Sequence, residues 1–442
     1  MRVYERIITY LLYWTVLQDF ILSLFFNLTD SIVLTNILFY FKDIIFVILV
    51  LWGSIRIKRF KLTHWFLLLL YLVFIFIAAI KSLVLYPDIA LTSILSSIRS
   101  LLLLPGFIII GFGVKDKRFF KIRIKKFFID FLFIIAIIGI IEFLIDSYIV
   151  STIPFWKSFL DIGNFMDVIK GQSGRLVDGL PGNFYGGYGG EFFSQKRLVS
   201  LWGNPLTAAY VLSIPCVYCF VKFIENSRRI SYLVRGLVFL ISIILTYTRT
   251  IIILTILTIA ILYFVKIKWL RKYYAVLIPV FLIICIINFE SIADYIYDGS
   301  TMGHISAVLD SLAQLTIFGN GIATFGIETA IGTESTYITV LGQLGLIGGT
   351  LYIGFNIYIV YKAFRIYILT HNYNYLMCGL VGVILLISGF VSEQLLAFTT
   401  IAPYYITMGF NLLLFPNKLT NYKSISQNGQ LYGKSSSSNG YL

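Results

Sequence analysis

The sequence predicts an all-α polytopic membrane protein with about 12 transmembrane helices. Of its 442 residues, 59% are hydrophobic and only 13% are charged, and the mean hydropathy is +0.89. Soluble domains carry about 25% charged residues. Continuous apolar stretches of about 20 residues recur along the chain, which is the length that a helix needs to cross a bilayer. These observations exclude a soluble enzyme, a disordered chain and, because the apolar residues do not alternate with polar ones, an outer-membrane barrel.

The apolar runs give the predicted helices. The first run, 7–26, is longer than a signal-peptide core and lacks a small-residue cleavage site, so we expect an uncleaved first helix. The others are expected at 32–52, 65–85, 98–114, 127–147, 206–222, 236–248, 251–265, 273–289, 335–361, 375–395 and 399–416. Residues 1–416 are therefore predicted to form one transmembrane domain. The Ser/Asn/Gly-rich tail, 417–442, is predicted to be a disordered cytoplasmic segment.

The basic residues predict the orientation of the chain. The net charge is +14, from 35 Lys and Arg against 21 Asp and Glu. If both termini are cytoplasmic, most cations fall in short inner loops, and the two long outer segments, 148–205 and 290–334, hold few. This asymmetry is the positive-inside rule, so the basic excess does not require a nucleic-acid partner. We expect the substrate to be handled on the outer face.

The apolar stretch between Arg235 and Lys266 is long for one crossing and short for two. A single crossing would put the basic cluster 266–272 outside, so we predict two short helices that meet at 246–250, in a water-accessible cavity. Arg249 lies in this break. A buried membrane arginine costs about 3 kcal/mol or more, which favours a functional role. Snorkelling to the outer headgroups is the alternative.

Three more cations are predicted near Arg249. Lys81 and Arg99 lie near the outer ends of the third and fourth helices, and Arg197 lies just before the sixth. Together the four would form a cationic cluster suited to a phosphate-bearing ligand, because arginine can bind phosphate through two parallel hydrogen bonds. The alternatives are snorkelling anchors for Lys81 and Arg99 and a solvated loop charge for Arg197.

Other polar residues are weaker candidates. Lys42 interrupts the second helix beside Asp43, and an ion pair with Asp19 is the structural alternative to a ligand-binding role. His304, in the second outer segment, can bind or exchange a proton. Glu334 is a candidate general base or hydroxyl ligand, or an acidic residue stabilised by a helix dipole. The sequence has no metal-ligand cluster and no phosphate-binding loop, so no metal or cofactor is expected.

Three motifs follow one another along the chain. The first is Arg197 followed by Gly203-Asn204-Pro205, and the second is Thr246-Tyr-Thr-Arg-Thr250. The third comprises Gly303-His304, Phe318-Gly-Asn-Gly321, Glu334-Ser-Thr-Tyr337 and Gly342-Gln-Leu-Gly-Leu-Ile-Gly348. With these motifs, the chain resembles the O-antigen polymerases and O-antigen ligases of bacterial surface polysaccharides, from about residue 30 to residue 400. The ligase pattern has its histidine in a longer loop, so the isolated His304 favours a polymerase.

The resemblance implies a membrane glycosyltransferase of the GT-C-like class in the bacterial inner (plasma) membrane. Its donor and acceptor would be undecaprenyl-diphosphate-linked oligosaccharides of an O-antigen or a capsule, and a chain-length regulator is a possible partner. The reducing-end sugar would pass to an acceptor hydroxyl with inversion and without a metal. Transfer of the glycan to another acceptor, as in a ligase, and transport of the lipid-linked glycan, as in a flippase, are the alternatives.

The resemblance and the physical argument assign the same candidate roles. Arg249 and Arg197 would hold the diphosphate, with Arg99 and Lys81 in support, because its developing negative charge needs fixed cations. His304 and Glu334 would position or deprotonate the acceptor hydroxyl. Lys42 and Tyr337 are also expected to contribute to substrate binding.

Overall fold

The computed structural model describes residues 2–57, 62–148, 156, 160–168, 176–177, 180–181, 184–186, 195–226, 229–266, 299–326, 331–333 and 335–414. Nearly all of these residues are helical. The first helices are α1 (Val3–Thr29), α2 (Ile32–Arg56), α3 (Leu62–Leu85), α4 (Leu91–Phe112), α5 (Lys117–Lys126) and α6 (Leu132–Tyr148). A π-helical turn, Phe127–Phe131, joins α5 to α6.

The polar segment after α6 contains a short helix, α7 (Ile162–Val168), and four two-residue strands. The strands pair antiparallel as β1 (Leu176–Val177) with β2 (Leu180–Pro181), and β3 (Tyr185–Gly186) with β4 (Gln195–Lys196). The remaining helices are α8 (Pro205–Glu225), α9 (Ile230–Leu245), α10 (Arg249–Lys266), α11 (Gly299–Ala313), α12 (Thr336–Thr370), α13 (Tyr373–Ser388) and α14 (Phe398–Leu414).

Polar residues mark the starts of several helices. Ser31, Asp116, Asn204, Ser335 and Asn372 each accept a hydrogen bond from a backbone N–H in the first turn of α2, α5, α8, α12 and α13, respectively. Such N-caps satisfy donors that have no partner within the helix. The starts of these five helices therefore follow from local sequence.

Seven helical stretches of the described chain are long and apolar enough to cross a membrane. They are Val3–Thr29, Ile32–Arg56, Phe66–Leu85, Leu91–Phe112, Lys117–Ile145, Pro205–Glu225 and Thr336–Thr370. This confirms a helical, multi-pass membrane fold. The total of about 12 crossings stays a prediction, because α9, α10 and α13 are shorter apolar helices and 273–289 lies outside the described residues.

One end of the bundle is held together by a buried ion pair. The guanidinium of Arg56, at the end of α2, lies 3.1 Å from the Glu5 carboxylate near the start of α1. The same carboxylate accepts hydrogen bonds from the backbone N–H groups of Lys115 and Asp116, between α4 and α5. We call this the basic end, because the exposed cations of α5 lie here: Lys117, Arg118, Lys121, Arg123, Lys125 and Lys126.

The opposite end of the bundle, which we call the loop end, carries the polar segments. Leu22 and Phe26, on the last turns of α1, pack with Trp156, Phe184 and other apolar residues of the segment before α8. The end of α9, the start of α10 and the start of α8 also lie here, as do the start of α12 and the α13–α14 connection. This end therefore contains Arg197, Arg249 and Tyr337.

The long helix α12 is broken at Gly345, whose φ is +78°. The loop after α11 fills the break. Asn320 donates its backbone N–H to the Gly342 carbonyl at 2.7 Å, and Leu346 donates its own to the Thr316 carbonyl at 3.3 Å. The loop therefore pairs backbone groups that the broken helix leaves without helical partners. Two of the predicted motif segments, 318–321 and 342–348, thus pack directly against each other.

Several predicted helix bounds are wrong: α4 begins at Leu91 and not at 98, α12 continues to Thr370 and not to 361, and α13 is shorter than predicted. The apolar run 375–395 predicts a single helix, but α13 ends at Ser388 and the short 3₁₀ helix Glu393–Leu396 follows. The helix stops because Gly389 and Ser392 are tied to the start of α12: Gly389 accepts a hydrogen bond from the Ser335 hydroxyl, and Ser392 accepts one from Thr336. These tertiary contacts override the local apolar pattern.

Candidate functional site

The break between α9 and α10 is confirmed close to its predicted position. Helix α9 ends at Leu245 and α10 begins at Arg249, with Thr246 and Thr248 buried between them. Tyr247 has a left-handed backbone, with φ at +51°. Such a conformation is uncommon outside glycine, so surrounding contacts must hold the turn in place. The chain thus makes a sharp turn at the loop end of the bundle, with Thr246 and Thr248 buried and Tyr247 exposed.

Arg197 provides one of those contacts. Its Nε donates to the Thr246 carbonyl at 2.7 Å, and its Nη2 donates to the Thr248 hydroxyl at 3.0 Å. Thr246 is the C-cap of α9, and a cation at this position meets the negative end of the helix dipole. The guanidinium, which is half-buried, therefore links the segment before α8 to the α9–α10 break.

The backbone around Arg197 explains why it reaches the break. Directly after β4, its own N–H donates to the Phe184 carbonyl at 2.8 Å. The next residue, Leu198, donates its N–H to the Leu245 carbonyl at the end of α9, also at 2.8 Å. Two backbone hydrogen bonds therefore fix the chain on either side of the guanidinium.

Arg249 differs from the expectation in one respect. It lies at the predicted break, where it is the first residue of α10, but its side chain is exposed on the protein surface and not buried in the bundle. The neighbouring Thr248 is buried and holds Arg197. The two arginines therefore flank one turn, with Arg197 tied into it and Arg249 projecting from it.

The other predicted cations have partners elsewhere in the bundle. The Lys81 ammonium, near the end of α3, donates to the carbonyl of Gly319 in the loop that fills the α12 break. Arg99 on α4 forms an ion pair with Asp43 on α2 at 3.1 Å. These contacts join helices, so they give both cations a structural role beside any role in binding. A single cluster of the four predicted cations stays a prediction.

Lys42 and Tyr337 both lie inside the protein. Lys42 is 3% exposed, donates to the Phe39 carbonyl at 2.9 Å, and stands 3.7 Å from the centre of the Phe39 ring. The pairing of Lys42 with Asp19 stays a prediction. Tyr337 is also 3% exposed and donates its hydroxyl to the Leu386 carbonyl at 2.7 Å.

Two candidates for acid–base chemistry cannot be placed. His304 belongs to α11, but its side chain lies outside the described part of the structure, and Glu334 is itself outside the described residues. Within the described ranges, no group of three or more His, Cys, Asp or Glu side chains is arranged to hold a metal ion.

A polar cluster in the α13–α14 connection was not predicted from the sequence. Glu393 accepts a hydrogen bond from the Thr339 hydroxyl on α12. The neighbouring Gln394 side chain accepts from the hydroxyls of Thr400, at 2.8 Å, and Thr207, at 3.5 Å. The available signal was the Ser-Glu-Gln sequence at 392–394, three polar residues in a row at the end of an apolar run.

Comparison of the chain with protein-family models, with curated proteins and with solved structures finds no match.

Proposed function

We propose that this protein is a polysaccharide polymerase that joins polyprenyl-diphosphate-linked repeat units on the outer face of the bacterial plasma membrane. The basic end of the bundle then lies in the cytoplasm, and the loop end faces outward. The observation that carries the proposal is the paired arginine turn: Arg249 is exposed at the first residue of α10, beside the residue that holds Arg197.

The electrostatics of this turn favour an anionic ligand. The N-terminus of a helix has partial positive charge, so a cation placed there is destabilising on its own. Arg249 stands at such an N-terminus, directly after Thr248, whose hydroxyl accepts a hydrogen bond from the Arg197 guanidinium. An anion at the turn would be attracted by the helix N-terminus and would meet forked N–H donors. A diphosphate is a suitable ligand because it presents several oxygens to more than one donor.

The reaction follows from this placement of charge. An acceptor hydroxyl attacks the anomeric carbon of the donor glycan, and a new glycosidic bond forms as the carbon–oxygen bond to the diphosphate breaks. The lipid diphosphate leaves with the bonding electrons, and the hydroxyl proton goes to a base. Fixed arginines stabilise the charge on the leaving group without a metal, and a site shielded by the loop segments would limit hydrolysis.

A flippase for the same lipid-linked glycan is the second candidate, because Lys42 is a cation buried deep in the bundle. A transporter uses such intramembrane charges along its pathway. The two proposals differ in the species that accumulates when the gene is deleted, and in the membrane face on which it accumulates.

The test is mass spectrometry of lipid-linked and surface glycans from cells with and without the gene. The polymerase proposal expects single repeat units on the lipid, accessible from outside, and loss of polymer. Long lipid-linked polymer that never reaches its acceptor would instead indicate a ligase. Single units confined to the inner face would contradict polymerisation and support transport.

A further inference from the structure

We infer that Glu393 is the carboxylate that binds the acceptor hydroxyl and takes its proton, an inference that rests on the proposed polymerase function. Glu393 begins the short 3₁₀ helix between α13 and α14, at the loop end of the bundle. The Glu393 carboxylate accepts a hydrogen bond from α12, and the residues on either side of Glu393 are held by α8, α12 and α14.

The first of these contacts fixes one oxygen of the carboxylate. Thr339 lies in the first turn of α12, is 3% exposed, and donates its hydroxyl to Glu393 Oε1. This hydrogen bond orients the carboxylate plane. A general base must be held in one orientation within reach of the proton that it removes, so a buried donor on a neighbouring helix is a suitable support.

The backbone on each side of Glu393 is also fixed. The Ser392 carbonyl accepts hydrogen bonds from the backbone N–H and the hydroxyl of Thr336, at 3.3 Å and 2.6 Å. On the other side, Gln394 is held by Thr400 of α14 and by Thr207 in the first turn of α8. Helices α8, α12 and α14 therefore all position the three residues 392–394. Such support is typical of a functional site, where neighbouring residues hold the reacting side chain in one geometry.

The start of α8 connects this carboxylate to the arginine turn. Helix α8 is capped by Asn204, seven residues after Arg197, and its first turn contains the Thr207 that bonds Gln394. Helix α8 packs against α9 and α10 and also against α13 and α14. The start of α8 thus follows Arg197 closely in the chain and contacts the Glu393 cluster through Thr207.

The paired arginines and Glu393 suit the leaving-group site and the acceptor site of an inverting displacement. In such a reaction the acceptor approaches the anomeric carbon from the face opposite the leaving group, so the base and the leaving-group site lie apart. The arginines would stabilise the departing diphosphate. Glu393 would accept the proton as the new glycosidic bond forms, and then release it to water. No oxidant, metal or further reactant is required.

The experiment uses purified full-length protein in liposomes, supplied with lipid-linked repeat units extracted from cells that lack the gene. Glu393→Gln keeps the size of the side chain but removes the base, so we expect the initial rate of polymer formation to fall at least about 100-fold. Glu225→Gln is the matched control, because Glu225 lies at the far end of α8 in an exposed pair with Lys222, and its rate should equal that of the wild type.

The pH dependence of the polymerisation rate distinguishes a base from a structural residue. Loss of a purely structural contact would lower the rate without changing the shape of this pH profile. The wild-type rate should fall as the pH drops and a single carboxylate becomes protonated, and the residual rate of Glu393→Gln should lose this acid limb. Glu393→Asp, which draws the carboxylate back by one methylene, should lower the rate at least tenfold and retain the acid limb. This variant decides the matter if Glu393→Gln does not fold.

The outcomes separate this inference from the proposed function. Wild-type protein that makes polymer, together with a Glu393→Gln or Glu393→Asp variant at the full wild-type rate, would overturn the role of Glu393 and leave the polymerase proposal standing. Wild-type protein that makes no polymer under conditions in which the units are intact would overturn both.

Discussion

The guanidinium of Arg197 donates to the carbonyl of Thr246 at 2.7 Å, across 49 residues of sequence. A second hydrogen bond, to the Thr248 hydroxyl, orients its plane. The segment before α8 is thereby tied to the turn from which Arg249 projects. One arginine thus holds the turn that presents the other.

Replacing Arg197 tests whether polymer formation needs only its positive charge or also its two hydrogen bonds to the turn. Arg197→Lys keeps the charge but cannot form both hydrogen bonds, so we expect polymer formation in cells to fall at least tenfold. Thr248→Val is the control, because it removes one acceptor and leaves the arginine in place; we expect a smaller loss. The measurement is the amount of polymer per copy of the protein. Equal losses of polymer in the two variants would mean that Arg197 acts only through its hydrogen bonds to the turn.

Gly345 should be essential for the break in α12. Its φ of +78° is strained for alanine, and an added Cβ would lie 2.3 Å from the backbone nitrogen of Gly319. We therefore expect Gly345→Ala to destabilise the protein by at least about 2 kcal/mol. Gly354→Ala, on the same helix, has open space around it and should be neutral or slightly stabilising. Thermal unfolding in detergent compares them, and equal midpoints would contradict the described loop contact.

The buried pair at the basic end should contribute far more than an exposed pair. The Glu5 side chain is 0% exposed and that of Arg56 is 8% exposed. Glu5→Gln leaves the guanidinium buried without its counter-charge, so we expect a loss of about 3 kcal/mol in the free energy of unfolding. Glu225→Gln breaks the exposed pair with Lys222 and should cost about 0.5 kcal/mol or less. Chemical unfolding of both variants tests the contrast, which a similar loss for each would contradict.

Asp116 should make stability depend on pH. The backbone N–H of Phe119, and then Arg2, lower the pKa of this carboxyl below its ordinary value of 3.8. Because the folded-state pKa is depressed, the stabilisation is fully present above the unfolded pKa and is lost as the pH falls through the folded one. We therefore expect the difference in unfolding midpoint between the wild type and Asp116→Asn to shrink from about pH 6 to about pH 3.

Asp310→Asn, at an exposed aspartate of α11, provides the control for that comparison. A midpoint difference between the wild type and Asp116→Asn that stays constant over this pH range would show that the Asp116 charge does not support the cap of α5.

Much of the fold could be predicted, because the length of each apolar run and the charge of each loop can be seen directly in the sequence. The break between α9 and α10 followed from the length of one run and from the side on which its flanking cations must lie. The hydrogen bond from Arg197 to Thr246 could not be predicted, because the two residues are 49 positions apart in the sequence. The β3–β4 pair directly before Arg197 is also a tertiary feature.

The Glu393 cluster was missed for a related reason. The run 375–395 looks continuous, and the contacts that end α13 come from Ser335 and Thr336 on another helix. The break at Gly345 was hidden in the same way, since glycines are common in membrane helices and only the packing of the loop at 316–322 reveals the kink. Long-range contacts place these residues, and a single sequence does not contain them.

The most direct test of the paired arginine turn is polymer formation in liposomes by the wild type and Arg249→Gln, with lipid-linked repeat units as donor and acceptor. Arg249 is exposed, so its replacement should leave the unfolding midpoint unchanged. We expect the wild type to produce a ladder of glycan lengths with release of lipid diphosphate, and Arg249→Gln to be at least about 100-fold slower. Arg235→Gln, at an exposed pair with Asp130, should match the wild type. An Arg249→Gln protein that polymerises at the wild-type rate would contradict the account.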